Sequence, residues 1–169
     1  LQIRERIAAL QGKKRSAFLE AFAEVEVAFA DTFKELARGQ GRLILENPKD
    51  PFAGGLIIKC SPRGKKFSRM ESMSGGEKAL TALALIFALQ EVNPAPLFIF
   101  DEVDKDLDGV NTMILADAIR RRSEDRQYLT ISHHRVLLER SNQTLGVTMR
   151  KGHGTQVTGV TMSTLTEMS

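Results

Sequence analysis

Ser74-Gly75-Gly76-Glu77-Lys78 stands at the head of an apolar stretch, and Asp101-Glu102 closes the run Leu97-Phe98-Ile99-Phe100. A serine followed by two glycines at a helix start offers a hydroxyl and several backbone N–H groups to an anion. Two carboxylates ending an apolar strand are where a hydrated Mg2+ and a water-activating base are expected. Together they describe a site for ATP. The loop that should hold the phosphates, G-x-x-x-x-G-K-S/T, is absent from these 169 residues. Gly12-Lys13 and Gly64-Lys65 have Ile7 and Lys59 where the earlier glycine is required, and neither pair is followed by Ser or Thr. The chain carries half of a nucleotide site.

The residue types divide the work. Neighbouring strand residues point to opposite sides, so one acid faces a metal and the next faces the attacking water. Asp101 is expected to hold Mg2+ through the ion's water shell, and Glu102 to polarise or deprotonate the nucleophile. Parallel sheets place their ligand crevice at the carboxyl ends of the strands. His133, in Ile131-Ser132-His133-His134, should therefore reach the γ-phosphate from the end of the next strand, with His134 exposed; two adjacent rings leave the choice between them open. His153, between Gly152 and Gly154, is expected to be a solvated turn residue. Three histidines and one cysteine lack the spacing of a zinc site.

Elements must bring these groups into place. Residues 1 to about 38 form one predicted helix, with Ile3, Ile7, Leu10, Phe18, Phe22, Val25, Phe29, Phe33 and Leu36 at three- and four-residue steps. The pattern is already running at Leu1, as in a longer helix. Lys14 interrupts its apolar seam, so the first half is expected to be a coiled-coil end and the second half to pack on the domain. Gly39-Gln40-Gly41 stops it. Arg42–Glu46 and Gly55–Lys59 are predicted strands, and Pro62 to Ser72 a polar loop. A helix from about Gly75 to Glu91 is stopped by Pro94 and Pro96, which deliver the chain into Leu97–Phe100. A helix at 109–122, a strand at 127–131, a short helix near 136–140 and a terminal hairpin of 144–149 with 155–162 complete the plan. Alternation of strand and helix implies parallel strands.

A hydrophobic fraction of 42% with 27% charged residues is ordinary for a globular domain. The most apolar stretch, Ala79 to Leu89, is about half of the roughly 20 residues a membrane span needs. No basic, apolar leader opens the chain, so nothing points to secretion. The single cysteine, Cys60, fits a reducing compartment and, beside Ile57 and Ile58, a core position. Net charge is only +3. Arg63, Lys65, Lys66 and Arg69 form one basic cluster and Arg120 to Arg122 another; either could touch a nucleic-acid backbone, and neither demonstrates it.

These segments resemble the ATPase head of the structural maintenance of chromosomes (SMC) family, specifically its C-terminal lobe. The resemblance rests on Leu43-Ile44-Leu45-Glu46-Asn47-Pro48, Met73-Ser74-Gly75-Gly76-Glu77-Lys78-Ala79-Leu80, Phe100-Asp101-Glu102-Val103-Asp104 and Gly146-Val147-Thr148-Met149. It implies an α/β fold, the C-terminal half of an ABC-type head with a mostly parallel sheet flanked by helices. Residues 1–38 would be the coiled-coil end and the helix leading into the head, and 39–169 the lobe. Ser74, Gly75, Gly76 and Glu77 become the signature motif, which grips the γ-phosphate of ATP held on a partner head. Asp101 and Glu102 match the Walker B pair, His133 the switch histidine, and Leu107 and Asp108 the D-loop. Lys105 and Asp106 depart from the small residues usual there, and Met73 stands where leucine is common. The resemblance further implies an ATP hydrolase active only with its N-terminal lobe and a second head. ATP and Mg2+ are its cofactors, a kleisin subunit and DNA its further partners, and chromosome condensation and segregation its work. It would be cytoplasmic and nucleoid-associated in a prokaryote, nuclear in a eukaryote. A coiled-coil ATPase of DNA double-strand-break repair is the alternative within the superfamily, and a non-hydrolysing structural module the alternative outside it.

Overall fold

The seam of apolar residues along the first third of the chain produces helix α1, Gln2–Ala37, unbroken in the computed structural model, which describes residues 2–150, 152 and 154–161. Its two halves have different surroundings. Ile3, Ile7 and Leu10 are exposed, whereas Phe29, Phe33 and Leu36 are fully buried. Strand β1 (Gln40–Leu45) turns back against the buried half, pairs antiparallel with β2 (Leu56–Ser61), and β2 pairs with the two-residue β3 (Ser68–Arg69). The approach of β1 to α1 needs Gly41, where a Cβ would lie 2.8 Å from the Phe29 ring and 2.9 Å from that of Phe33.

Helix α2, Gly75–Val92, lies against α1, and its Leu80, Leu83, Ala84, Phe87 and Ala88 are buried. With Leu43 and Cys60 these side chains make the core of a first compact unit, residues 1–96. Cys60 is in the core as expected, and burial pushes its thiol up to about 11, so it stays a thiol. The predicted polar loop 62–72 holds more order than its composition signals: two short 3-10 turns, Pro62–Gly64 and Met70–Ser72, flank β3. The residue that interrupted the seam has a partner. Lys14 Nζ sits 4.2 Å from the centroid of Phe52, in the β1–β2 connection, and Phe52 meets the Phe18 ring at 5.2 Å.

The second unit, residues 97–169, begins with β4 (Leu97–Asp101), crosses through α3 (Gly109–Arg122), and returns in β5 (Gln127–Ile131), parallel to β4. This is the parallel pair that the strand–helix alternation predicts. Phe98, Phe100 and Tyr128 cluster on one face of the pair. Helix α4, Arg135–Arg140, packs on α3, tied to it by Arg140 Nε to Asp117 Oδ1 at 2.5 Å and by Arg120 donating to the Arg140 carbonyl at 3.0 Å. An antiparallel hairpin of β6 (Gln143–Arg150) and β7 (Gly154–Thr161) ends the described chain. His153 and Met162, which carried sequence expectations, lie outside the described residues. No helix among the described residues is long and apolar enough to cross a membrane.

Candidate functional site

In the first unit, α2 starts where its sequence says it should. Ser74 is the N-cap, with extended backbone, and Glu77 is the third helical residue, a capping-box arrangement. The Glu77 carboxylate accepts from the Ser74 N–H at 3.2 Å and from the Ser74 hydroxyl at 3.0 Å, both at Oε2. Its other oxygen, Oε1, lies 2.6 Å from Lys65 Nζ. The Lys65 hydrogen bond, followed by that from the Ser74 backbone, holds the Glu77 carboxyl below its ordinary value. Met73, one residue earlier, is buried, and Thr81, fully buried, donates to the Glu77 carbonyl at 2.7 Å and lies 3.5 Å from Met73 Sδ. Methionine thus anchors the turn from beneath, while Ser74 and Gly75 face solvent. Nothing lies within 4 Å of a Cβ built on Gly75. The start of α2 presents a hydroxyl, glycine N–H groups and open space.

In the second unit, Asp101 is the last residue of β4, paired with Ile131, and its exposed side chain stands at the carboxyl end of the parallel pair. Glu102 is not a strand residue. Its N–H still bonds the Ile131 carbonyl at 2.9 Å, but its φ of 47° swings the chain out of the sheet. The expectation that pleating separates the two acids is therefore replaced by a left-handed turn, a conformation that costs a non-glycine residue energy and clusters at functional sites. Glu102 Oε1 comes to 3.4 Å from His133 Nε2.

His133 lies two residues past the end of β5, and the two histidines differ from expectation in burial. His133 is 89% exposed and reaches Glu102, while His134, expected to be exposed, is 43% exposed and turned inward. His134 Nδ1 lies 2.6 Å from Asp104, which also accepts from the Ser132 hydroxyl. The His134 N–H in turn donates to Ser132 Oγ at 2.9 Å. Burial pushes the Asp104 carboxyl up, but the hydrogen bonds from Ser132 and His134 outweigh it and leave the group below its ordinary value. Asp104, only 2% exposed, thus pins the turn after β4 to the turn after β5. The same turn runs through buried Leu107 to Asp108, which caps α3 by accepting from the Asn111 N–H at 2.8 Å.

The sequence points to Asp101, Glu102, His133, Ser74, Gly75, Gly76, Glu77, Leu107 and Asp108, leaves His134 open as the alternative to His133, and assigns no role at the site to Asp104, Ser132 or Lys65. Asp104 sits in an acid-rich run in which side-chain type alone does not say which carboxylate turns inward. Lys65 was counted in a basic cluster, yet its ammonium is engaged with Glu77. Among the described residues no three His, Cys, Asp or Glu side chains gather as a metal cage. The exposed carboxylate of Asp101 suits Mg2+, which keeps most of its water and takes one or two carboxylates beside substrate phosphates.

A capped helix start with open glycine N–H groups, and a parallel strand closed by Asp101 with Glu102 in the turn after it, on an α/β scaffold led by a long helix, are the parts of an ABC-type ATPase head. A family model described as the RecF/RecN/SMC N terminal domain matches residues 63–156. The chain belongs to that family. The chromosome partition protein Smc of Gloeobacter violaceus is 48% identical over 150 residues, which are 89% of this chain and 13% of that protein. The Smc head domain of Pyrococcus furiosus, solved with an extended coiled coil and bound to the C-terminal domain of ScpA, superposes with a TM-score of 0.87 at 40% identity, over 99% of this chain and 42% of that one. A structure from a study of ATP-driven dimerization and DNA-stimulated activation of SMC ATPases gives a TM-score of 0.82 at 39% identity, over 91% of this chain and 94% of that one. The chain spans about an eighth of the length of the curated relatives it matches. Their name, chromosome partition protein, does not favour the double-strand-break repair alternative.

Proposed function

We propose that this chain is the C-terminal half of an SMC ATPase head that hydrolyses ATP only when joined to its N-terminal lobe and to a second head. Residues 1–38 carry the coiled-coil end and the helix into the head, and 39–169 form the lobe. Asp101 would hold Mg2+ through the ion's water shell, and Glu102 orients and deprotonates the attacking water. His133 hydrogen-bonds the γ-phosphate. Ser74, Gly75 and Gly76, with Glu77 shaping the turn, receive the γ-phosphate of ATP seated on the partner head. Leu107 and Asp108, in the D-loop, lie along the head–head surface. A bound Mg2+ would supply charge neutralisation at the phosphates. ATP-bridged heads engage, and hydrolysis releases them to control DNA entrapment or loop formation in chromosome condensation and segregation. A kleisin completes the assembly; the Pyrococcus furiosus head bound to the C-terminal domain of ScpA supports that partner. Location follows the chromosome: cytoplasmic and nucleoid-associated in a prokaryote, nuclear in a eukaryote.

The observation that carries this reading is the Glu102 turn. A strained acid at the carboxyl end of a parallel strand, 3.4 Å from a histidine on the neighbouring connection, supports reading the two as a base and a phosphate sensor. The test is Glu102→Gln in the complete head. An amide keeps the shape but is no base, so hydrolysis should fall by about 10²–10⁴ while ATP binding persists. ATP-bound dimers should then accumulate in light scattering. Turnover at the unmodified rate would remove Glu102 from this role.

A further inference from the structure

The signature turn contains a contradiction. Glu77 caps α2, which favours a carboxylate at that end of the helix. The same carboxylate stands within 3.2 Å of the Ser74 hydroxyl and N–H that a phosphate would need, and a like charge there opposes any incoming anion. Ser74 is also already donating its hydroxyl proton to Glu77.

Lys65 addresses both difficulties. Its ammonium takes Glu77 Oε1 at 2.6 Å, the oxygen that Ser74 does not use. It is delivered by the 3-10 turn Pro62–Gly64 at the end of β2, closed by the Lys65 N–H on the Pro62 carbonyl at 3.0 Å. Arg63 and Gly64 sit there at φ 47° and 74°, and the Ser61 hydroxyl is bonded to the Lys65 carbonyl. The main chain under Lys65 is therefore held, although its side chain is 66% exposed. Drawing the charge of Glu77 toward Oε1 weakens Oε2 as an acceptor, so the Ser74 hydroxyl can redirect its hydrogen bond to a phosphate oxygen.

We propose that Lys65 is a positioning residue of the signature turn: its ammonium neutralises Glu77, so that Ser74 and the first N–H groups of α2 can accept a phosphate. The proposal rests on the reading that this turn meets the γ-phosphate of ATP on a second head. Lys65 acts through Glu77 and need not touch the nucleotide.

The experiment uses the complete head, both lobes present, in the Glu102→Gln background, with ATP-dependent dimerisation followed by sedimentation over a concentration series. Lys65→Ala should weaken dimerisation about tenfold, the size expected for one uncompensated charge at a wet interface. Lys65→Arg should restore it to within about twofold, because the charge rather than the chain length is required. The decisive arm is the double-mutant cycle. In a Glu77→Gln head no carboxylate needs neutralising, and Lys65→Ala should then cost less than about twofold. Binding of a fluorescent ATP analogue to single heads should not change with Lys65→Ala, since that nucleotide rests on the other lobe. Undiminished dimerisation by Lys65→Ala overturns the proposal, and so does a loss that persists in the Glu77→Gln background. Absence of ATP-dependent dimers in the Glu102→Gln parent overturns the proposed function itself, and this inference with it.

Discussion

Asp104 concentrates the energetic risk of the second unit in one side chain. It is nearly sealed from solvent and holds two connections together through Ser132 and His134. Removing one partner of a buried charged network leaves the others unpaired, at a cost of about 3 kcal/mol. Asp104→Ala in the complete head should lose about that much stability in urea denaturation, and His133 should lose its register with Glu102. Asp104→Asn supplies the pH test. The folded carboxyl is held below its ordinary value of 3.8. Its stabilisation is therefore present above pH 3.8 and is lost as pH falls through the lower, folded value. The stability gap between unmodified head and Asp104→Asn should be constant at neutral pH and close in acid. A gap that widens on acidification would contradict the assignment.

At the scale of elements, the long periodic segments were legible and the short, contingent ones were not. Helices α1, α2 and α3 follow from apolar spacing and stop signals, and β4 with β5 from apolar runs between breakers. The capped start of α2 and the acid pair were equally plain, because each is made of residues adjacent in sequence. What escaped depends on contacts between residues far apart: Lys65 with Glu77, Lys14 with Phe52, and Asp104 with His134. Two adjacent histidines also carry no local signal for which ring turns inward. The strap between β1 and β2 makes the point testable. Phe52 lies on Phe18 and under Lys14, and Arg15 reaches the Pro48 carbonyl at 3.5 Å. Phe52→Ala should raise hydrogen exchange across residues 10–20 of α1 by about tenfold or less. Residues 29–36, locked in the core, should keep their protection. Equal exchange in both variants would show that the strap contributes nothing.

At the scale of the molecule, the described chain leaves apolar faces bare. Leu97, Ile99, Leu129 and Ile131 are exposed on one face of the β4–β5 pair, and Leu145, Val147, Met149 and Val157 on the terminal hairpin. Parallel sheets are ordinarily covered on both faces, and contiguous exposed apolar surface marks an interface. The chain alone should therefore bind a hydrophobic dye such as ANS strongly and hydrolyse no ATP. Co-expression with the N-terminal lobe should quench the dye signal and bring Mg2+-dependent hydrolysis. Robust turnover by the chain alone, free of contaminating ATPases, would contradict the half-site account.

Helix α1 carries a mechanical consequence. Its 36 residues run from exposed Ile3 to buried Leu36 without a break, a rod about 54 Å long at 1.5 Å per residue. Seated at its base and strapped at Lys14 and Phe18, such a rod is a lever. A tilt of about 5° where Phe29 and Phe33 seat on β1 and α2 would sweep its far tip, about 40 Å away, through about 4 Å. Small rearrangements among α1, β1 and α2 are thus magnified at a distance, and the stiffness of the Phe52 strap sets how much of that torque is transmitted.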